Sequence, residues 1–96
     1  MAFYTYIAAC NSNTAIYVGV TGNLLRRMSQ HHAGAGSVHT SKYRIRKLVW
    51  FETHDELAQA VARERRLKRW RRTWKDALIA EHNPSWSDLS MEVSLL

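Results

Sequence analysis

Two short runs rich in β-branched and aromatic residues, FYTYIAA at positions 3–9 and AIYVGV at 15–20, stand on either side of the turn-forming NSNT. The pattern predicts a β-hairpin, and it constrains the fold more than any other feature because later elements must pack on that ribbon. A tight turn with Asn11 and Ser12 at its tip sets Tyr6 opposite Tyr17. Directly opposed side chains share a sheet face, so two phenols then stand side by side. After Gly22, Asn23 is placed to cap a helix running to about His32, which AGAGS ends, and a polar loop continues to Lys42. KLVWFE at 47–52 reads as a third strand. THDE then opens the next helix as a capping box, with Thr53 as cap and Glu56 three residues on. That helix runs to about Trp70, and another starts near Thr73 and stops before Pro84. In the tail, Trp86 and Leu89 are the residues able to dock. The expectation is one α/β (α+β) domain over residues 1–96: three antiparallel strands flanked by about three helices.

With 96 residues there is room for one modest core. The hydrophobic share of 46% suits a folded chain, so the net charge of +6 points to a polyanionic partner rather than to disorder. No apolar run approaches the roughly 18 residues that span a bilayer, and MAFYTYIAAC lacks the basic start of a signal peptide, so a cytoplasmic protein is expected. Cys10, the single cysteine, excludes an internal disulfide and a multi-cysteine zinc site; a small buried residue is its expected role. Adjacent His31 and His32 point apart on a helix, and none of the five histidines has zinc-like spacing.

Several polar residues fall where packing does not ask for them. At about 100° per residue, Leu24, Arg27, Met28 and His31 share one face of the first helix while Arg26 points away. Taken singly, Arg27 is explained by snorkelling and His31 by a satisfied buried imidazole. On the next helix the apolar stripe is Leu57, Ala60, Val61 and Leu67, and Glu64 fills its gap. An ion pair accounts for most such carboxylates. Yet Glu64 is the only acid between residues 57 and 75, amid Arg63, Arg65, Arg66, Lys68, Arg69, Arg71, Arg72 and Lys75. That one-signed run suits a phosphate backbone better than simple solvation does. Trp74, with Ala77, Leu78 and Glu81, marks a helix face expected in the core, whereas Trp70 either packs or stacks on a base.

These residues form an ordered pattern, YVGVT, L..R...H, LV.FE, A..RE..LK.WRR..K..LI and NP.W.DL, covering residues 4–89, which resembles the GIY-YIG nuclease superfamily and its small bacterial stand-alone members. The resemblance implies a three-stranded sheet with packed helices and metal-dependent hydrolysis of phosphodiester bonds in DNA, with RNA open. Relatives work in repair, recombination and restriction. By matching motif, the resemblance makes Tyr6, Tyr17, Arg27, His31, Glu64 and Asn83 the active-site set, Glu64 the ligand of one Mg²⁺ or Mn²⁺, and Gly19 a structural member. Asn83 by itself also reads as a helix terminator. The first signature is Tyr4-Thr5-Tyr6 where the family has Gly-Ile-Tyr, and His39 is placed to supply a second histidine. Arg26 and the basic run would hold the nucleic acid. The alternative is a nucleic-acid-binding module that keeps the scaffold and cleaves weakly or not at all.

Overall fold

The computed structural model describes residues 2–33 and 42–93. Strands β1 (Phe3–Ala9), β2 (Ile16–Thr21) and β3 (Lys47–His54) form one antiparallel sheet in the order β2-β1-β3, so the first strand is central. Helix α1 (Leu24–His32) follows β2, α2 (Leu57–Arg69) and α3 (Arg72–His82) follow β3, and a short α4 (Ser90–Val93), absent from the sequence expectation, closes the described chain. Leu24 and Met28 of α1 and Val93 of α4 pack with Tyr6, Ala8 and Leu48 on one sheet face. Ile7, Ala9, Val18 and Val49 face the other way, onto Leu67 of α2 and Ile79 of α3. Among the described residues no helix is long and apolar enough to cross a membrane.

The hairpin is present, but its register corrects the expectation: Tyr6 pairs with Gly19, and Tyr17 pairs with Ala8. The turn is longer than a two-residue tip. Cys10 N–H donates to Ala15 O and Asn13 N–H to Cys10 O, both at 3.0 Å, and Asn13 takes a positive φ of 62°, which asparagine tolerates. The pairing therefore slips by two residues, and a slip of two preserves the face. Arg72 clamps this turn by donating to the carbonyls of Asn13 and Thr14. Cys10 is buried beneath it, as expected. Burial raises its thiol pKa, but hydrogen bonds from Ser12, Thr14 and the Ala15 N–H outweigh that and bring it to about 6.

Helix α1 starts as the sequence predicts, with Asn23 Oδ1 accepting from Arg26 N–H at 3.0 Å. The AGAGS stop and the polar loop fall almost entirely outside the described residues. The predicted Thr53 cap is corrected. β3 continues to His54, Thr53 pairs with Tyr4, and α2 is capped by Glu56, whose N–H donates to Gln59 Oε1 at 3.2 Å. Leu57, expected in the stripe, is consequently 50% exposed. A bulge in β3 sets Ile7 opposite Trp50 and Ala8 opposite Leu48, leaving Val49 as the extra residue, so Val49 and Trp50 both reach the α2–α3 side. The tail covers the outer edge of β3: Asp88 Oδ1 accepts from Leu48 N–H at 3.1 Å, and Leu89 N–H donates to Leu48 O at 2.8 Å.

Candidate active site

Gly19 is where the fold makes room for chemistry. A β-carbon there would lie 2.6 Å from Tyr6 Cζ and Oη, closer than atoms can approach, so the Tyr6 ring crosses bare backbone of the edge strand. The phenol oxygen then meets two residues of α1. Arg27 Nε donates to it at 3.1 Å, and His31 Nε2 lies 2.9 Å away. Tyr17 completes the group, its ring centroid 6.2 Å from Tyr6 and 5.8 Å from His31, and with Tyr6 its hydroxyl helps hold the Arg27 pKa above the usual value. Arg27 Nη1 also donates to Gln30 Oε1 at 3.2 Å, which fixes the plane of the guanidinium. Tyr6, Tyr17, Arg27 and His31 thus converge from two strands and one helix. Arg26 is exposed, as the helix phase requires.

The ionisation states follow from burial. Tyr6 is fully buried, and desolvation raises its pKa above the usual phenol value although Arg27 pulls it down; the charges of Tyr17 and Glu64 raise it further. The arginine alone does not favour a phenolate. His31 is driven down to about 4 by burial, by Arg27 and by His32, so it is uncharged at neutral pH. Tyr6 Oη and His31 Nε2 share one hydrogen bond, whose direction follows the imidazole tautomer. His31 Nδ1 is buried without a hydrogen-bond partner.

Because the folded pKa of His31 lies below its unfolded value of about 6.5, the unfolded chain takes up a proton first on acidification. His31 therefore costs nothing above about pH 6.5 and lowers stability progressively between there and about pH 4. A His31→Gln variant is expected to lose less melting temperature than the parent across that window. Parallel curves would show that His31 does not titrate as a buried group.

Glu64 comes from the opposite layer, near enough for its charge to be felt at Tyr6. Its side chain is 20% exposed and pairs with Lys68 at 3.6 Å, so it stands at the surface rather than filling a core slot. Among the described residues no group of three or more His, Cys, Asp or Glu could hold a metal. A lone accessible carboxylate does not suit a zinc cage. It does suit a hard ion that accepts one carboxylate, a substrate phosphate and several waters.

Asn83 is not brought to this cluster. It is buried at the end of α3, where Nδ2 donates to Val49 O at 3.1 Å and to Ser87 O at 2.9 Å, while Oδ1 accepts from Ser87 N–H and Oγ. The carbonyl that the β3 bulge removes from the ladder is thereby satisfied, so Asn83 ties α3, β3 and the tail together. His39 lies outside the described residues.

The basic run divides. Arg63 is folded over Trp50 and Trp70 and pairs with Glu52 at 3.2 Å, and Arg72 pairs with Asp76 at 2.7 Å while holding the hairpin turn. Arg65, Arg66, Lys68, Arg69 and Arg71 are exposed, and Lys75 is partly so. Trp74, expected in the core, is 53% exposed, and of the two roles open to Trp70 the structure shows packing, half-buried against the core.

A model of the GIY-YIG catalytic domain matches residues 2–89. The chain is 32% identical over 87 residues to a UPF0213 protein of Pediococcus pentosaceus, covering 91% of this chain and 90% of that one. It is 36% identical over 78 residues to a UPF0213 protein of Haloquadratum walsbyi, covering 81% and 86%. Its fold is similar to the solution structure of a UPF0213 protein from Bacillus halodurans, with a TM-score of 0.58 at 25% identity over 92% of this chain and 93% of that one.

Proposed function

The chain belongs to the GIY-YIG family, and from that premise we propose that it is a divalent-metal-dependent endonuclease acting on DNA, with the site at the β2 edge of the sheet. The observation that carries the reading is the convergence of two phenols, an arginine and an imidazole on one hydrogen-bonded centre, with a single carboxylate beside it. None of these is demanded by core packing, and hydrolysis has a use for each.

Glu64 is the residue that would hold Mg²⁺ or Mn²⁺, which when bound supplies charge to the phosphoryl oxygens and opposes the field that Glu64 alone puts on Tyr6. Arg27 sits where negative charge grows as water attacks, and its Tyr6 and Gln30 contacts hold it there before substrate arrives. Tyr17 is the phenol with partial access to solvent, and Tyr6 is the buried one behind it. Tyr17 therefore meets the attacking water, while Tyr6 links the centre to His31, whose neutral Nε2 can take a proton.

Nicking of supercoiled plasmid that requires Mg²⁺ or Mn²⁺ is the test. Binding without nicking under any divalent condition would leave a nucleic-acid-binding module. The binding surface has its own expected result: log affinity for duplex falls with log salt by about 0.9 for each phosphate neutralised. Reversing the charge of exposed Arg65 with Arg69 lowers that slope for all sequences alike. Arg72→Ala leaves the slope nearly unchanged and lowers the melting temperature, because Arg72 is engaged with the hairpin turn. Equal slopes for parent and double reversal would remove α2 from the interface.

A further inference from the structure

One surface feature is not used by the hydrolytic centre. Trp70 and Trp74 meet edge to face, ring centroids 6.2 Å apart, and with Ala77, Leu78 and Glu81 they line a shallow groove of about 260 Å³. Trp70 anchors the groove to the core, whereas Trp74 exposes 53% of its surface. Arg71 lies over the Trp74 ring at 5.6 Å and Arg63 over the Trp70 ring at 5.4 Å, so each indole carries a guanidinium. Exposed Arg66 and Arg69 precede the pair in sequence, and Glu81 is the single acid of the lining. Flat aromatic surface framed by positive charge complements a polyanion whose units also carry flat rings.

We infer that the Trp70–Trp74 groove binds an unpaired nucleobase of a single-stranded segment, stacked on Trp74, with Arg71 and its basic neighbours on the adjoining phosphates. The inference rests on the nucleic-acid partner proposed above and names a feature of that partner. The groove is lined by residues of α3 together with Trp70 at the C-terminal cap of α2, none of them a member of the Tyr6–Tyr17–Arg27–His31 centre. A duplex keeps its bases stacked on one another and offers this groove only phosphates. A strand with free bases offers it a ring.

The test is binding of a labelled single strand, its duplex, and the same strand with abasic sites, measured without divalent metal so that nothing is cut. The parent is expected to prefer the base-bearing strand over the abasic one. Trp74→Ala should weaken binding of the base-bearing strand by roughly five- to a hundredfold, the range for loss of one aromatic stacking partner, with the duplex changed by less than about twofold. Trp74→Phe should restore most of the loss. An unchanged melting temperature confirms the fold, since Trp74 is largely outside the core. Equal affinity for abasic and base-bearing strands, equal weakening of strand and duplex, or displacement of the strand by a polyglutamate peptide as effective as unlabelled strand would overturn the inference. If the parent bound no nucleic acid, the nuclease reading would fail first. If it bound and nicked duplex while Trp74→Ala behaved as parent, only the groove would be lost.

Discussion

Glu64→Gln is expected to abolish metal-dependent nicking while leaving fold and DNA affinity largely intact. Glutamine has the shape of glutamate and keeps a carbonyl oxygen, but it lacks the negative charge that a hard divalent ion requires. Among the described residues no cluster of three or more His, Cys, Asp or Glu stands ready to take over the ion. Stability should change little. The one ion pair lost is with Lys68, a long exposed side chain whose bond to a partly exposed carboxylate is screened by water. Losing an acid from a basic helix face should, if anything, tighten DNA binding slightly. Plasmid nicking in Mg²⁺, a melting curve and a binding isotherm on the same preparation separate these effects. Nicking at the parent rate by a folded variant would sink Glu64 as the metal residue.

The second large effect separates two neighbours. Arg27→Ala is expected to slow single-turnover cleavage by at least roughly a hundredfold, as happens when a group aimed at developing charge is removed, whereas Arg26→Ala mainly weakens binding. Arg27 contacts the Tyr6 oxygen, Tyr17 and Gln30, and it helps hold the His31 proton affinity low. Arg26 is exposed and shares the lining of a surface cleft with Arg27 and Gln30, but it stands outside the Tyr6–Arg27–His31 hydrogen bonds. Saturating protein hides a binding defect but not a chemical one. Comparable rate losses in both variants at saturation would show that the Tyr6–Arg27–His31 centre is not where the reaction occurs.

The sheet and the three main helices were legible in the sequence because period and face are local properties, whereas Tyr6, Tyr17, Arg27 and His31 were grouped as one site by the resemblance of their motifs. What escaped depended on partners distant in the chain. The hairpin register hung on Asn13 accepting a left-handed backbone, yet the tyrosines kept their shared face because the slip was even. THDE satisfied the pattern of a capping box, but pairing of Thr53 with Tyr4 kept that stretch extended and passed the cap to Glu56. Trp74 was misplaced because spacing marks a helix face without saying which face meets the sheet: α3 buries Ile79 and leaves Trp74 exposed. Asn83 stood at the expected helix end, but its partner, the Val49 carbonyl, exists only because β3 bulges. The split of the basic run was likewise invisible, since nothing near Arg63 or Arg72 announces Glu52 or the hairpin turn.

The strand order β2-β1-β3 also sets when the centre can assemble. Tyr6, Tyr17, Arg27 and His31 are supplied by β1, β2 and α1, a continuous stretch of chain whose ends need close only a short loop. Glu64 is supplied by α2, which follows β3, and β3 pairs with β1 from the other side through contacts distant in sequence, such as Lys47 with Ala9. Loop closure on that scale is the slower event in a folding reaction. The arginine–tyrosine–histidine centre therefore belongs to the early, local part of the fold, and the carboxylate arrives with the late, non-local part. A chain caught before the sheet is complete, including one still emerging from the ribosome, would carry the residues proposed to meet the phosphate but not the one proposed to hold the metal, which ties the proposed cleavage to the last step of folding.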